Sequence, residues 1–208
     1  VVFTAVLAAA VTAGALAGVA SLRTQKDSPQ LDAAAPAVSQ QVSSAECGDG
    51  PCRAVTTQSV DGVQVELLAD PQGGNGRFSS RGEVVQTSIT ELGARLDANS
   101  LACVAASVSA CVVSAPFSGG RVGELLVERE GDWRSVDKPY FSDAGVIALG
   151  NVTGTDAPEV TVVQASPVLA RVYALDGTVV GCTKKYSYLS QIRGWPKVRL
   201  LASDLRAC

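Results

Sequence analysis

Val63-Gln64-Val65-Glu66-Leu67 alternates apolar and polar side chains, and D-P-Q-G-G-N-G from Asp70 to Gly76 then ends the run. A period of two puts alternate residues on opposite faces, as in a strand with one face on a core and the other in water. The proline and glycines that follow are turn formers. Working outward, comparable runs occur over Glu83 to Thr90, Val108 to Ser114, Arg121 to Arg129, Gly145 to Gly150, Glu159 to Gln164, Val168 to Leu175 and Thr178 to Cys182. Turn signals punctuate them at Ser118-Gly119-Gly120, Glu130-Gly131-Asp132 and Asp176-Gly177. Leu92 and Leu96 suit a short helical turn, as do Leu200 to Leu205, and no long amphipathic helix appears. The expectation is a mostly β domain over residues 47–208, a single antiparallel sandwich or small irregular barrel with disulfides, preceded by an N-terminal hydrophobic helix.

Upstream of this domain, Val1 to Leu22 carries no charge and is dominated by Ala, Val and Leu. As a helix it has the length to span a bilayer. It is read as a membrane anchor. The alternative is a signal peptide cleaved after Gly18-Val19-Ala20. In the anchor reading Arg23 and Lys26 lie on the exported side, mildly against the positive-inside tendency. A few residues are expected to precede Val1. Residues 23–46, with Pro29, Pro36 and many Ser, Gln and Ala, have too few large apolar side chains to order themselves and read as a flexible linker. Were the first segment removed, the linker would be a free arm able to add a strand to a partner's sheet. On either reading residues 47–208 are extracytoplasmic. A domain of that size buries roughly 70% of its unfolded surface, so it does not need cysteines to acquire a core.

The chain contains no His, which excludes Ser-His-Asp and Cys-His catalysis and every metal site built on imidazole. It contains no Met, and it favours Ala, Val, Gly and Arg, a usage that suggests a GC-rich bacterial genome. Its six cysteines, Cys47, Cys52, Cys103, Cys111, Cys182 and Cys208, all follow the hydrophobic segment. Their even number in an exported chain reads as disulfides, and no C-x2-C spacing suggests a metal. Spacing favours Cys47–Cys52 across C-G-D-G-P-C and Cys103–Cys111 across a hairpin centred on Ser107. Cys182–Cys208 would then tie down the C-terminal tail.

Charge is uneven. From Gly181 onward, Lys184, Lys185, Arg193, Lys197, Arg199 and Arg206 face Asp204 alone, giving +5 there and −8 on the rest of a chain whose net charge is −3. Tyr186, Tyr188 and Trp195 are interleaved with these cations. Such a segment suits an anionic wall polymer, a phospholipid headgroup or a glycan. The plainer alternative is that its aromatics pack inward and its cations are solvated. Nucleic acid is not expected as a partner of an exported acidic protein. Asp143 with Asp156 and Glu159 are the carboxylates from which a glycosidase-like pair could be drawn. Ser187 or Ser190 with Lys184 or Lys185 could form a Ser-Lys dyad only if the lysine were buried. No catalytic residue, cofactor or metal is assigned from the sequence.

G-V-I-A-L-G-N-V-T-G-T-D-A-P-E-V-T-V-V-Q and the later V-Y-A-L-D-G, within Gly145 to Gly177, resemble a blade fragment of FG-GAP or VCBS propeller repeats. The resemblance covers about a sixth of the chain and implies strand, acidic loop, strand. The families' calcium loop has regularly spaced Asp, whereas Asn151, Thr153, Asp156 and Glu159 stand here, and two carboxylates make a poor site for a hard cation. A complete propeller needs four or more blades, and the sequence holds no second copy of the pattern. With C-G-D-G-P-C near its start and R-G-W-P near its end, the domain also resembles uncharacterised exported or membrane-anchored proteins of high-GC Gram-positive bacteria, which implies location and supplies no site. The expected function is a non-enzymatic bacterial envelope protein that displays a binding domain outside the membrane, towards another envelope protein or an anionic wall polymer. The alternatives are a secreted adaptor subunit of an extracellular assembly and a carboxylate-dependent hydrolase.

Overall fold

The computed structural model describes residues 46–208, so the expected anchor at residues 1–22 and the linker up to residue 45 lie outside the described residues. Glu46–Cys47 (β1) and Gly50–Pro51 (β2) pair as a small hairpin closed by the Cys47–Cys52 disulfide. Arg53–Val60 (β3), Val63–Ala69 (β4), Arg77–Ser80 (β5) and Glu83–Gln86 (β6) then form an antiparallel meander of consecutive strands. Its tight turns are Asp61-Gly62 and Arg81-Gly82, with both residues at positive φ (48° and 75°, 49° and 86°). That is the backbone twist a two-residue hairpin prefers. The run expected as strand from Glu83 to Thr90 is strand only to Gln86. Beyond Thr87 it becomes one helical turn, Ser88–Glu91 (α1), ending at Leu92.

Leu101–Val104 (β7), Ala110–Phe117 (β8), Gly120–Arg129 (β9) and Asp132–Ser135 (β10) make a second meander. Tyr140–Ser142 (β11) pairs with β9 over Arg121–Gly123, beyond the stretch that β10 uses. The β7–β8 hairpin places Cys103 directly opposite Cys111, in disulfide contact with a Cα separation of 4.0 Å. Ile147–Gly150 (β12), Glu159–Ala165 (β13), Val168–Tyr173 (β14) and Val179–Cys182 (β15) form the third meander.

The expected mostly β domain is thus built of three open antiparallel sheets stacked face to face, with no closed barrel among the described residues. Among the first strands β7 neighbours both β3 and β12, and the last strands β6 and β10 neighbour each other. Between the first and second sheets lie Leu67, Phe78, Val113, Leu126 and Trp133. Between the second and third lie Val112, Leu125, Tyr140, Val160 and Val162. Two-sided burial explains the residues of the middle sheet: β8 reads A-C-V-V-S-A and is buried throughout that run, while β4 keeps polar Gln64 and Glu66 on its outward side. A sheet covered on both faces needs apolar side chains in both parities. Close approach matters once more at Gly120, where a Cβ would lie 2.0 Å from the Ser142 carbonyl oxygen. Only glycine lets the start of β9 pass that backbone.

The flanking sheets also seal the edges of the middle sheet. On the β7 edge, the Gln58 amide donates to Leu101 O at 2.8 Å and accepts from the Cys103 N–H at 3.1 Å. On the β10 edge, Trp133 N–H donates to Glu83 Oε2 at 3.2 Å. On β11, the Phe141 carbonyl accepts from Gln164 Nε2 at 2.7 Å. Gln58→Leu should leave one carbonyl and one N–H of β7 unmet and lower stability by about 1–3 kcal/mol, read as a reduced urea midpoint with an unchanged slope.

Candidate functional site

The outward face of the third sheet is apolar, with Val163, Ala170 and Val172 buried, and residues 183–207 cover it. Leaving β15, the chain stays beside β14: Thr183 N–H donates to Ala170 O at 2.9 Å and Tyr186 N–H to Val168 O at 2.8 Å. A 3-10 turn over Leu189–Gln191 follows, and Gln191 Oε1 accepts from the Ser187 and Tyr188 N–H groups. Ile192 and Leu200 plug into the sheet and bracket a tight turn in which Arg199 N–H donates to Arg193 O at 3.1 Å. Gly194 is required there, since its φ is 78° and a Cβ would sit 2.8 Å from Lys197 O. A last turn over Ala202–Asp204 returns the chain to Cys182, where Cys182 and Arg206 exchange two backbone hydrogen bonds of 2.9 Å and Cys208 closes the third disulfide.

This path sorts the expected site residues. Tyr186 and Trp195 pack partly into the apolar cluster, as the plainer alternative had it, while Tyr188 is 70% exposed. The Lys184 ammonium stands 5.3 Å from the Tyr186 ring centroid, and Tyr186 lies within electrostatic range of Arg193. Arg193, Lys197 and Arg199 share the tight turn. Lys184, Tyr186 and that turn therefore lie on one side of the stack, over the third sheet. Lys185 is exposed next to them in sequence. Arg193 is already engaged: Nε meets Asp204 Oδ2 at 2.7 Å and Nη2 meets Oδ1 at 3.2 Å. That guanidinium, and then the Leu201 N–H, hold the Asp204 carboxyl below the usual carboxylate range.

The carboxylates considered for catalysis are employed separately. Asp143 Oδ1 accepts from the Ala165 N–H at 2.6 Å. Glu159 accepts from the Val152 N–H at 2.8 Å and from the Thr153 and Thr155 hydroxyls. Asp156 contributes its backbone carbonyl to Ser107. A carboxylate ringed by donors turns its lone pairs away from a cation. Among the described residues no three His, Cys, Asp or Glu side chains are grouped to hold a metal. Lys184 directs its ammonium to Tyr186, and Ser187 and Ser190 are exposed, so the burial a Ser-Lys dyad needs is missing. No helix among the described residues is long and apolar enough to cross a membrane.

Two polar groups escaped sequence reasoning. Glu124, 1% exposed in β9, accepts from the Ser88 N–H at 2.6 Å, the Ser88 hydroxyl at 2.9 Å and the Ser135 hydroxyl. It ties α1 to the middle sheet and braces β10 on β9, and the acid in V-G-E-L-L-V was its only signal. Tyr140 is buried with a hydroxyl that finds no hydrogen-bond partner among the described residues. Burial, reinforced by Tyr173 and Asp176, pushes its pKa up to about 12. No family model matches the chain, and comparison with curated proteins and with solved structures gives no match.

Because the folded pKa of Tyr140 lies above its ordinary 10.0, its contribution to stability is complete below about pH 10 and is lost as pH rises through about 12. Tyr140→Phe should remove a phenolate absorbance step near pH 12 and retain the stability that the parent loses over that window.

Proposed function

We propose that the protein is a non-enzymatic bacterial envelope protein that holds its β domain outside the membrane and binds an anionic wall polymer through the cover of the third sheet. One observation carries this reading. The segment covering that sheet turns Ile192 and Leu200 inward while Lys184, Lys197 and Arg199 stay exposed on it and the exposed Tyr188 offers a stacking surface. At physiological salt the Debye length is about 8 Å, so cations matter jointly only where they are neighbours. The tight turn keeps Lys197 and Arg199 together, and Lys184 lies over Tyr186, which is within electrostatic range of Arg193.

The uncharged apolar stretch Val1 to Leu22 and three disulfides support display beyond the membrane, where disulfides persist. Binding of this kind is steered by field and selects charge more than shape. The test is retention on immobilised poly(glycerol phosphate), with neutral glycan as control. Retention should fall steeply with salt, and K184E/K185E should weaken it by about tenfold at low salt. Unchanged retention in the charge-reversal variant would refute the assignment of the surface.

A further inference from the structure

We propose that Arg193 and Asp204 form a closed anion site and that the Cys182–Cys208 disulfide is the thiol-exchange latch that keeps it closed. The proposal rests on the reading of the third-sheet cover as an anion-binding surface, and it concerns how that surface is regulated. The Arg193 fork makes two parallel bonds to one carboxylate. A guanidinium fork accepts carboxylate and phosphate in the same geometry, so Asp204 fills the place that a phosphodiester of the polymer would take.

The two partners are held very differently. Arg193 is anchored by buried Ile192 beside it and by the Arg199 N–H on its carbonyl. Asp204 belongs to residues 201–208, none of which is buried. Apart from local turn bonds, Arg193 itself and the half-buried Leu205 packed on the third-sheet cluster, this last stretch is held by the Cys182–Arg206 backbone pair and the disulfide.

The three disulfides differ in what reduction would release. Cys47–Cys52 and Cys103–Cys111 span 5 and 8 residues inside paired hairpins, so their thiols stay adjacent when reduced. Cys182–Cys208 spans 26, and Cys208 is exposed. Exchange follows ordinary thiol chemistry. A thiolate of an exported dithiol reductant attacks Cys208 Sγ, the S–S bond breaks, and Cys182 leaves as a thiolate. The reductant's second thiolate then displaces Cys208, so the protein gains two thiols and the reductant becomes a disulfide. Residues 201–208 detach and carry away both Asp204 and Arg206. The net charge of the surface is unchanged, and the Arg193 fork is opened to the polymer.

The pair is part-exposed, with side chains 52% and 17% accessible, so the gain in affinity should be no more than about fivefold. Poly(glycerol phosphate) binding is measured on the full chain in four forms: oxidised, reduced, D204N oxidised and R193Q. Reduction and D204N should each raise affinity by about three- to fivefold, and R193Q should show no gain on reduction. D204N binding like the parent, or a gain on reduction that survives in R193Q, overturns the closed site. The latch is read without polymer by hydrogen exchange: the Cys182 and Arg206 amides should lose protection on reduction and in C182S/C208S, and retained protection overturns it. The fork is also read with inorganic phosphate, which should shift the Arg193 Nε–H resonance in D204N and in the reduced chain but not in the oxidised parent. An unmoved resonance in D204N overturns the proposal. Absence of polymer binding in every form, with that shift present, defeats only the docking reading.

Discussion

A β-sheet covered on both faces still presents its unpaired backbone groups at its two edges, and any of these that neighbouring layers bury needs a partner from those layers. The middle sheet lives under this constraint, and the neighbouring sheets answer it with side chains. Gln58 from β3 behaves as one residue of an extra strand along β7. Glu83 from β6 serves β10, and Gln164 from β13 serves β11. These contacts fix the mutual register of the layers, since a side chain that must reach one edge N–H or carbonyl cannot slide. Glu124 acts similarly inside the first interface, holding α1 and β10 through Ser88 and Ser135.

A stack must also end. The first sheet ends by exposing polar side chains such as Gln64 and Gln86 on its outward side, with the β1–β2 hairpin meeting the chain at Asn75. At the other end the third sheet remains apolar and takes a cover made of turns, into which Ile192 and Leu200 are driven. That cover cannot form a ladder on a sheet face, so its own polar groups face outward. The concentration of charge near the C-terminus thus has a structural origin as well as the functional one proposed.

Much of this was legible in the sequence. Alternation in Val63 to Leu67 marked a strand with one wet face, and the spacing around Ser107 placed Cys103 against Cys111. Apolar residues in both parities over 110–115 call for a cover on each side of that strand, which the first and third sheets supply. β3 was missed because R-A-V-T-T-Q-S-V has a weak apolar period, although Asp61-Gly62 after it marks a hairpin. In the candidate site, charge and aromatic content were visible. The capture of Arg193 by Asp204 was not, because it depends on turns that bring residues eleven apart in sequence into contact.

Almost every strand in the stack pairs with its immediate neighbour in sequence, the β9–β11 contact being the nearest thing to an exception. Loop closure therefore costs little at each step, and the contact order of each sheet is low. Such a chain can acquire structure in the order in which it is delivered. One meander can close while the next is still arriving, and each new sheet supplies the cover that the previous one lacks. The Gln58 amide finds its two partners only once β7 has docked, so these bonds are made when the layers meet and not before.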